Sequence, residues 1–392
     1  MRVLTIAPFP PLRDGIAAYA SGLAHAYRSH GHRVGVVPTG PAPSAEVVAV
    51  LPKTPLGAPA ALRAIAAWRP DIVHVQHAIA TYGPRLPALL ALLAGLRRRR
   101  IPIVITHHEV TRDTDRLRAA GRLYYRAATA LADRIHVHTD TAARRLDDCG
   151  ARNRPVTVQP HPIFTSERVA DHGLSPADLR ERLDGEQRLL VMMIGYLQNQ
   201  KGHDRAVAGL AELLDRRPDL RDRLLLVIAG EVRRRPLGFA AFEQADREYE
   251  AEVRAQVTAA GLDEQVRWHG HVPDQELTTW FAAADAVLLP YLVAEDSGIA
   301  ARAVAIGAPV LAAPVGGLAS LFGGTALQLN STTAADIANA LEQFADEPHR
   351  LRSAARHRYQ ELLRERGADR LVKAITDPAR AGVGSTGRTK TA

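Results

Sequence analysis

Cysteine is almost missing from this chain. Cys149 stands alone among 392 residues, so no internal disulfide framework can form, and such usage suits a reducing cytoplasm. Aromatic residues make up only 5%. With no recognition motif to set beside the positive charge, nucleic-acid binding is not expected. No apolar run approaches the roughly 20 residues that a membrane-spanning helix needs. The start, Met1-Arg2-Val3-Leu4-Thr5-Ile6-Ala7-Pro8, is too short and too soon interrupted for a signal peptide. A cytoplasmic protein is therefore expected.

Lysine is scarce, yet the net charge is +8, because arginine greatly outnumbers lysine. An arginine- and alanine-rich composition is common in high-GC genomes, and it explains the charge more simply than a polyanionic partner does. One dense run, Arg97-Arg98-Arg99-Arg100, follows the apolar stretch Leu86 to Leu96. Two readings stand: a surface helix meeting anionic lipid at the inner membrane face, or a helix C-terminus whose dipole favours cations.

A hydrophobic content of 46% with 23% charged residues fits a globular protein, and the length implies two domains. Strand-like apolar runs alternate with helical patterns throughout. They lie at Val3–Ala7, Val34–Val37, Ile72–Val75, Ile103–Thr106, Ile135–Val137 and Val156–Val158. The same grammar restarts at Leu189–Ile194, Leu224–Ala229, Val266–Trp268, Ala286–Leu289, Val310–Ala312 and, weakly, Ala326–Leu329. The predicted class is α/β: two doubly wound, Rossmann-like domains facing a cleft. The expected boundaries are 1–170 and 171–360. Residues 361–376 form a C-terminal helix able to pack back on the first domain. Residues 377–392, without apolar period, read as a disordered tail.

In open parallel sheets, ligands bind beyond the carboxyl ends of the strands. The most pointed stretch there is Ile194-Gly195-Tyr196-Leu197-Gln198-Asn199-Gln200-Lys201-Gly202. A glycine closes a buried strand, a lysine follows six residues later, and a helix begins. Backbone can approach a ligand at the glycine, the helix start offers N–H groups, and the lysine adds a point charge suited to phosphate. Gly230-Glu231 follows the next strand. His269-Gly270-His271-Val272-Pro273-Asp274-Gln275-Glu276 follows another and is predicted to start a helix at its end. Its turn can meet a base edge and Glu276 a ribose, although Glu276 also suits a first helical turn. Leu289 to Ile299 brings Glu295, Asp296, Ser297 and Gly298 to a helix start. Its N–H groups suit phosphate and its carboxylates suit hydroxyls, although Asp-Ser is also an ordinary cap.

In the first half, Gly15 opens a helix after Pro8-Phe9-Pro10-Pro11-Leu12-Arg13-Asp14, with no G-x-G-x-x-G pattern. His74-Val75-Gln76-His77 and Thr106-His107-His108-Glu109 end neighbouring strands. Their spacings fit no common zinc pattern, so no metal is expected, and a histidine meeting a sugar hydroxyl is the better reading.

Together these residues resemble the GT-B retaining glycosyltransferases of family four. The segments that carry the resemblance are Gly195 through Lys201-Gly202, His269 to Pro273 with Glu276-Leu277, Ala283-Ala284-Asp285 with Leu289-Pro290, and Ser297-Gly298 through Gly307-Ala308-Pro309-Val310 and Gly316-Gly317-Leu318. The resemblance implies an acceptor-binding N-terminal domain, a nucleotide-sugar-binding C-terminal domain, retention at the anomeric carbon and no cofactor. The co-substrate would be a UDP- or GDP-sugar, and the acceptor a hydroxyl on a glycan, a lipid-linked molecule or a small natural product. His108, Lys201 and Glu295 would be catalytic. Gly15, Gly195, Tyr196, Lys201, Gly230, His271, Val272, Glu276, Ser297, Gly298, Ile299 and Arg302 would bind the donor, the ribose role of Glu276 being a local reading. Two departures stand out. Many members have arginine where this chain has Tyr196, and Arg302 falls where a second glutamate is common. They keep in play a catalytically silent or auxiliary GT-B protein that binds nucleotide sugar; a sugar-nucleotide epimerase on the same fold is a further alternative, against which the Lys201-Gly202 loop argues.

Overall fold

In a computed structural model of the chain, residues 1–12, 14–40, 42, 46–150, 154–165, 173–234 and 240–377 are described. They form two compact units: Met1–Pro160 with the segment from Ala368 on, and His161–Gly367. Of the expected tail, the part after Asp377 lies outside the described residues.

The first unit holds six strands, β1 (Arg2–Ala7), β2 (Arg33–Pro38), β3 (Ile72–His77), β4 (Ile103–His107), β5 (Arg134–Val137) and β6 (Val156–Val158). Their order is β2-β1-β3-β4-β5-β6, and all pairs are parallel. β1, β3 and β4 are buried along nearly their whole length, as strands covered by helices on both faces must be. Register then sets the polar residues. Gln76 pairs with Thr106, His77 with His107 and His107 with Val137. His108 and His138, one step further along, are therefore neighbours. The helix Ala368–Thr376 packs against the helix Gly15–Ser29, and Arg134 donates to its last carbonyls, Ala374 O at 2.9 Å and Ile375 O at 2.6 Å. Cations at a helix C-terminus satisfy its orphan acceptors.

The second unit holds β7 (Leu189–Ile194), β8 (Leu224–Ala229), β9 (Val266–Trp268), β10 (Ala286–Leu289) and β11 (Val310–Ala312). Their order is β11-β10-β7-β8-β9, again all parallel. The chain leaves β7 in one direction for β8 and β9, then crosses back to β10 and β11. The switch point thus lies between β7 and β10, where a doubly wound sheet opens a crevice at its carboxyl edge. Buried Asp285 fixes the start of β10: it accepts from Leu190 N at 2.9 Å and Arg180 Nη1 at 2.8 Å, and it pairs with Arg352.

Three expectations change. Residues 326–329 make a single bridge, Ala312 to Gln328, instead of a strand. The helix expected from Pro273 begins at Leu277. Among the described residues one helical stretch, Ile79–Arg98, is by length and composition apolar enough to cross a membrane, and half of it is buried inside the unit. Two short helices, Ile79–Tyr82 and Gly83–Arg85, precede the regular helix Leu86–Arg98, whose Leu89, Leu92, Leu93 and Leu96 are fully buried. That burial explains why an interrupted apolar pattern adds up to so apolar a stretch.

Candidate functional site

The residues after β7 and β10 meet at the switch point of the second unit. β7 ends at Ile194, and Gly195 N–H continues the ladder to Ala229 O at 3.0 Å. Opposite it stands Gly230, where a Cβ would fall 1.7 Å from Gly195 O. Only glycine permits that approach. Past Gly195 the chain makes a turn, Asn199–Lys201, and enters the helix His203–Arg216. Leu292 N–H donates to Gln200 O at 2.9 Å, joining the loop after β10 to this turn. Lys201 Nζ lies 3.7 Å from the centroid of the Tyr291 ring, a cation–π contact that orients the ammonium at the junction of the two loops. His203, next along, is almost wholly buried; desolvation above all, with nearby Lys201 adding to it, lowers its pKa to about 3.

The helix Gly298–Ile306 starts at the same edge. A Cβ on Gly195 would meet Ile299 Cγ1 at 3.8 Å, so Gly195, Gly230 and Ile299 are brought together. The ordinary cap is present: Ala300 N–H donates to Ser297 Oγ at 3.2 Å, Ser297 N–H to Asp296 Oδ1 at 2.7 Å, and His161 N–H to Asp296 Oδ2 at 2.9 Å. Ser297 and Asp296 therefore hold the loop, and Gly298 and Ile299 form the helix start. The loop carrying part-buried Glu295 is pressed onto the turn after β11. There a Cβ on Gly316 would meet Ala294 O at 1.7 Å, and one on Gly317 would meet Glu295 O at 2.6 Å.

The loops after β8 and β9 form a second cluster. His271 Nδ1 lies 3.6 Å from Glu231 Oε1, and Val272 is buried beside them. Glu276 takes the N-cap position of the helix Leu277–Ala283 without a side-chain cap bond. Burial lowers the His269 pKa, with Glu276 opposing, and the ring packs on Trp280 at 4.3 Å. Arg302 reaches toward this cluster, its Nη1 3.5 Å from Asp274 Oδ1. The guanidinium of Arg233, four residues beyond the end of β8, lies 5.7 Å from the centroid of the Tyr196 ring. Arg233 and Tyr291 lie outside the residues that the strand-end pattern singles out. The signal for Arg233 was present, a basic run Arg233-Arg234-Arg235 just past a strand end.

Gly15 and His108 belong to the first unit. Gly15 opens the helix Gly15–Ser29, whose cap is Asp14 Oδ1 accepting from Ile16 N–H at 2.7 Å. A Cβ on Gly15 would find nothing within 4 Å. His108 is half-buried with both ring nitrogens engaged: Nε2 lies 2.9 Å from Gln76 Oε1, and Nδ1 lies 3.0 Å from His138 Nε2. The Tyr19 ring meets it edge-on at 4.7 Å. Deeper in, Tyr27 OH reaches His74 Nδ1 and Thr106 Oγ1 reaches His74 Nε2, both at 2.8 Å. His77 and His107 pair through Nδ1 at 2.9 Å. Burial holds the pKa of His74 and His107 well below the imidazole range and that of His77 at about 3. Among the described residues no group of three or more His, Cys, Asp or Glu is placed to hold a metal.

Solved structures share this architecture. Anabaena HepE in complex with UDP-glucose superposes with a TM-score of 0.74 at 16% identity, covering 97% of this chain and 100% of that one. The α,α-trehalose-phosphate synthase of Burkholderia xenovorans gives 0.72 at 13% identity, covering 97% and 100%. Two doubly wound units of this kind define the GT-B class of fold. The profile of the glycosyl transferases group 1 matches residues 176–376, and that of Glycosyltransferase Family 4 matches residues 13–167. The chain belongs to the glycosyl transferases group 1. Among curated relatives, the D-inositol 3-phosphate glycosyltransferase of Pseudarthrobacter chlorophenolicus is 32% identical over 189 residues, 48% of this chain and 39% of the relative. That of Streptomyces avermitilis is 31% identical over 239 residues, 58% and 48%. The Frankia alni protein of the same name is 30% identical over 269 residues, 66% and 63%. The chain thus spans about half the length of the first relatives that it matches.

Proposed function

We propose that this protein transfers a sugar from a nucleoside diphosphate donor, in the UDP or GDP form, to a hydroxyl of an acceptor, with retention at the anomeric carbon. The observation that carries this is the built crevice of the second unit. Lys201 stands at the junction of the β7 and β10 loops over Tyr291, beside Gly195 and a Gly230 that has no room for a side chain, and near a helix start at Gly298–Ile299. Gly195, Tyr196, Gly230, Ser297, Gly298 and Ile299 would frame the diphosphate. His271 and Val272 would meet the base, Glu276 the ribose, and Glu295 a hydroxyl of the sugar. Residues 171–360 would thus hold the donor and 1–170 the acceptor, with Gly15 and His108 as ligand-contacting positions. Lys201 stabilises the charge that builds on the leaving diphosphate. A diphosphate carries more charge than one ammonium neutralises, and Arg233, aligned on Tyr196, supplies a second cation. Arg302, near Asp274, serves the base side. The chemistry needs no resident metal or cofactor.

The names of the relatives make D-inositol 3-phosphate the first acceptor to try. Donor turnover should appear with a UDP- or GDP-sugar, and proton NMR of the product should show the donor's anomeric configuration. An inverted product would contradict retention; absence of turnover with any donor, despite binding, would favour an auxiliary protein. We place the protein in the cytoplasm, with peripheral contact at the inner membrane face through Arg97–Arg100. Anionic vesicles should retain the chain in low salt and release it in high salt; no retention in low salt would remove the membrane from the reading.

A further inference from the structure

The hydrogen-bond chain through His108 has a definite proton order. It ends at a backbone carbonyl, Gln159 O, 2.9 Å from His138 Nδ1. A carbonyl only accepts, so His138 Nδ1 carries the proton. A neutral imidazole has one N–H, so His138 Nε2 presents a lone pair to His108 Nδ1, 3.0 Å away. His108 Nδ1 must then be the donor. Its remaining nitrogen, Nε2, faces the Gln76 side chain at 2.9 Å and has only a lone pair to offer. The Gln76 amide completes the chain by turning its NH2 toward Nε2; its nitrogen lies 3.2 Å from Nδ1 and 3.1 Å from Nε2 of His74, and the half-turn brings Oε1 there, where the one ring N–H of neutral His74 can donate. His138 is buried, at 5% exposure. Tyr19 packs on both rings, at 4.7 Å from His108 and 5.8 Å from His138, so neither ring is free to swing away.

We propose that His138 is a positioning residue that holds neutral His108 in its Nδ1–H form, leaving Nε2 as a hydrogen-bond acceptor. An unconstrained imidazole prefers the opposite form, so the order is imposed by Gln159 and passed on by His138. A ligand hydroxyl that takes the place of the Gln76 amide would donate to Nε2. That last role rests on the reading of His108 as a ligand-contacting residue; the tautomer does not.

The test is a long-range proton–nitrogen NMR correlation on the full chain labelled with 15N-histidine. It is recorded without substrate at about pH 8, above the ordinary imidazole range, and a His108→Asn variant identifies the His108 signals. The expected spectrum shows His108 protonated at Nδ1 only. His138→Phe should move the proton to Nε2, and His138→Gln, whose oxygen still accepts, should keep it at Nδ1. A wild-type His108 protonated at Nε2 alone or at both nitrogens overturns the proposal, and so does an Nδ1–H form that persists in folded His138→Phe. If His138→Phe does not fold, the wild-type and His138→Gln spectra decide. No nucleotide is present, so this outcome is separate from that of the transferase reading.

Discussion

At Gly230 a single methyl group would collide with the carbonyl of Gly195 at 1.7 Å. Backbone on both sides leaves nothing flexible to move. Gly230→Ala should lower stability by about 2–3 kcal/mol or part the turns that follow β7 and β8, read as a lower denaturation midpoint; an unchanged midpoint would mean that the two turns are not in contact. The cations have separate expectations. Removing a charge-assisted contact to phosphate costs about 1.5–3 kcal/mol, so Arg233→Ala should weaken binding of a nucleoside diphosphate roughly tenfold or more, with Arg234→Ala as the neighbouring control. Equal affinities in the two variants would remove Arg233 from the site. Residues of this kind were partly legible in the sequence. Lys201 and Gly195 stand at a strand end in a recognisable spacing. Arg233 has a local signal in its basic run past a strand end, whereas Tyr291 and His138 matter through contacts made across loops far apart in the chain, and no local pattern announces them.

Among the elements, the strands were the most legible. Parallel strands covered on both faces read as continuous apolar runs, and β7, LLVMMI, is buried almost throughout. Residues 326–329 show the limit: the run Ala326–Leu329 is apolar enough for a strand but finds only one bridging partner, Ala312. Helix starts are local chemistry and could be read. Ser175 forms a full capping box with Asp178, and Ser297 caps the helix Gly298–Ile306. Ser297→Ala should therefore cost about 1 kcal/mol and also loosen the helix start that we propose faces the diphosphate. A fall in nucleotide affinity without a fall in stability would mean that Ser297 touches the ligand directly instead of acting as a cap. The Asp285 clamp is an element-level feature that sequence hides, because its arginines come from positions 180 and 352. Breaking it with Asp285→Ala removes the side-chain acceptor of the buried Leu190 N–H and leaves part-buried Arg180 with only the carbonyls of Ala283 and Arg188, which should cost about 1–3 kcal/mol, seen as a lower denaturation midpoint.

For the whole molecule, buried histidines set the response to acid. His77 and His203 have folded pKa values of about 3 against 6.5 when exposed, and burial moves His74 and His107 the same way. The folded chain keeps these rings neutral, while the unfolded chain takes up protons below about pH 6.5. Their contribution is therefore intact above that pH and is lost as the pH falls toward 3, at about 1.4 kcal/mol per pH unit for each ring. Three of the four rings lie in the first unit, which should fail first on acidification. Denaturant midpoints that rise or stay level from pH 7.5 to 5.5 would contradict this sign. The central claim concerns the crevice at the β7–β10 switch point. Calorimetric titration of wild type and Lys201→Ala with UDP- and GDP-sugars tests it most directly. The expected result is clear binding of one donor class by wild type and a loss of at least about tenfold, or 1.4 kcal/mol, in Lys201→Ala. Equal affinity in the two proteins would contradict the account.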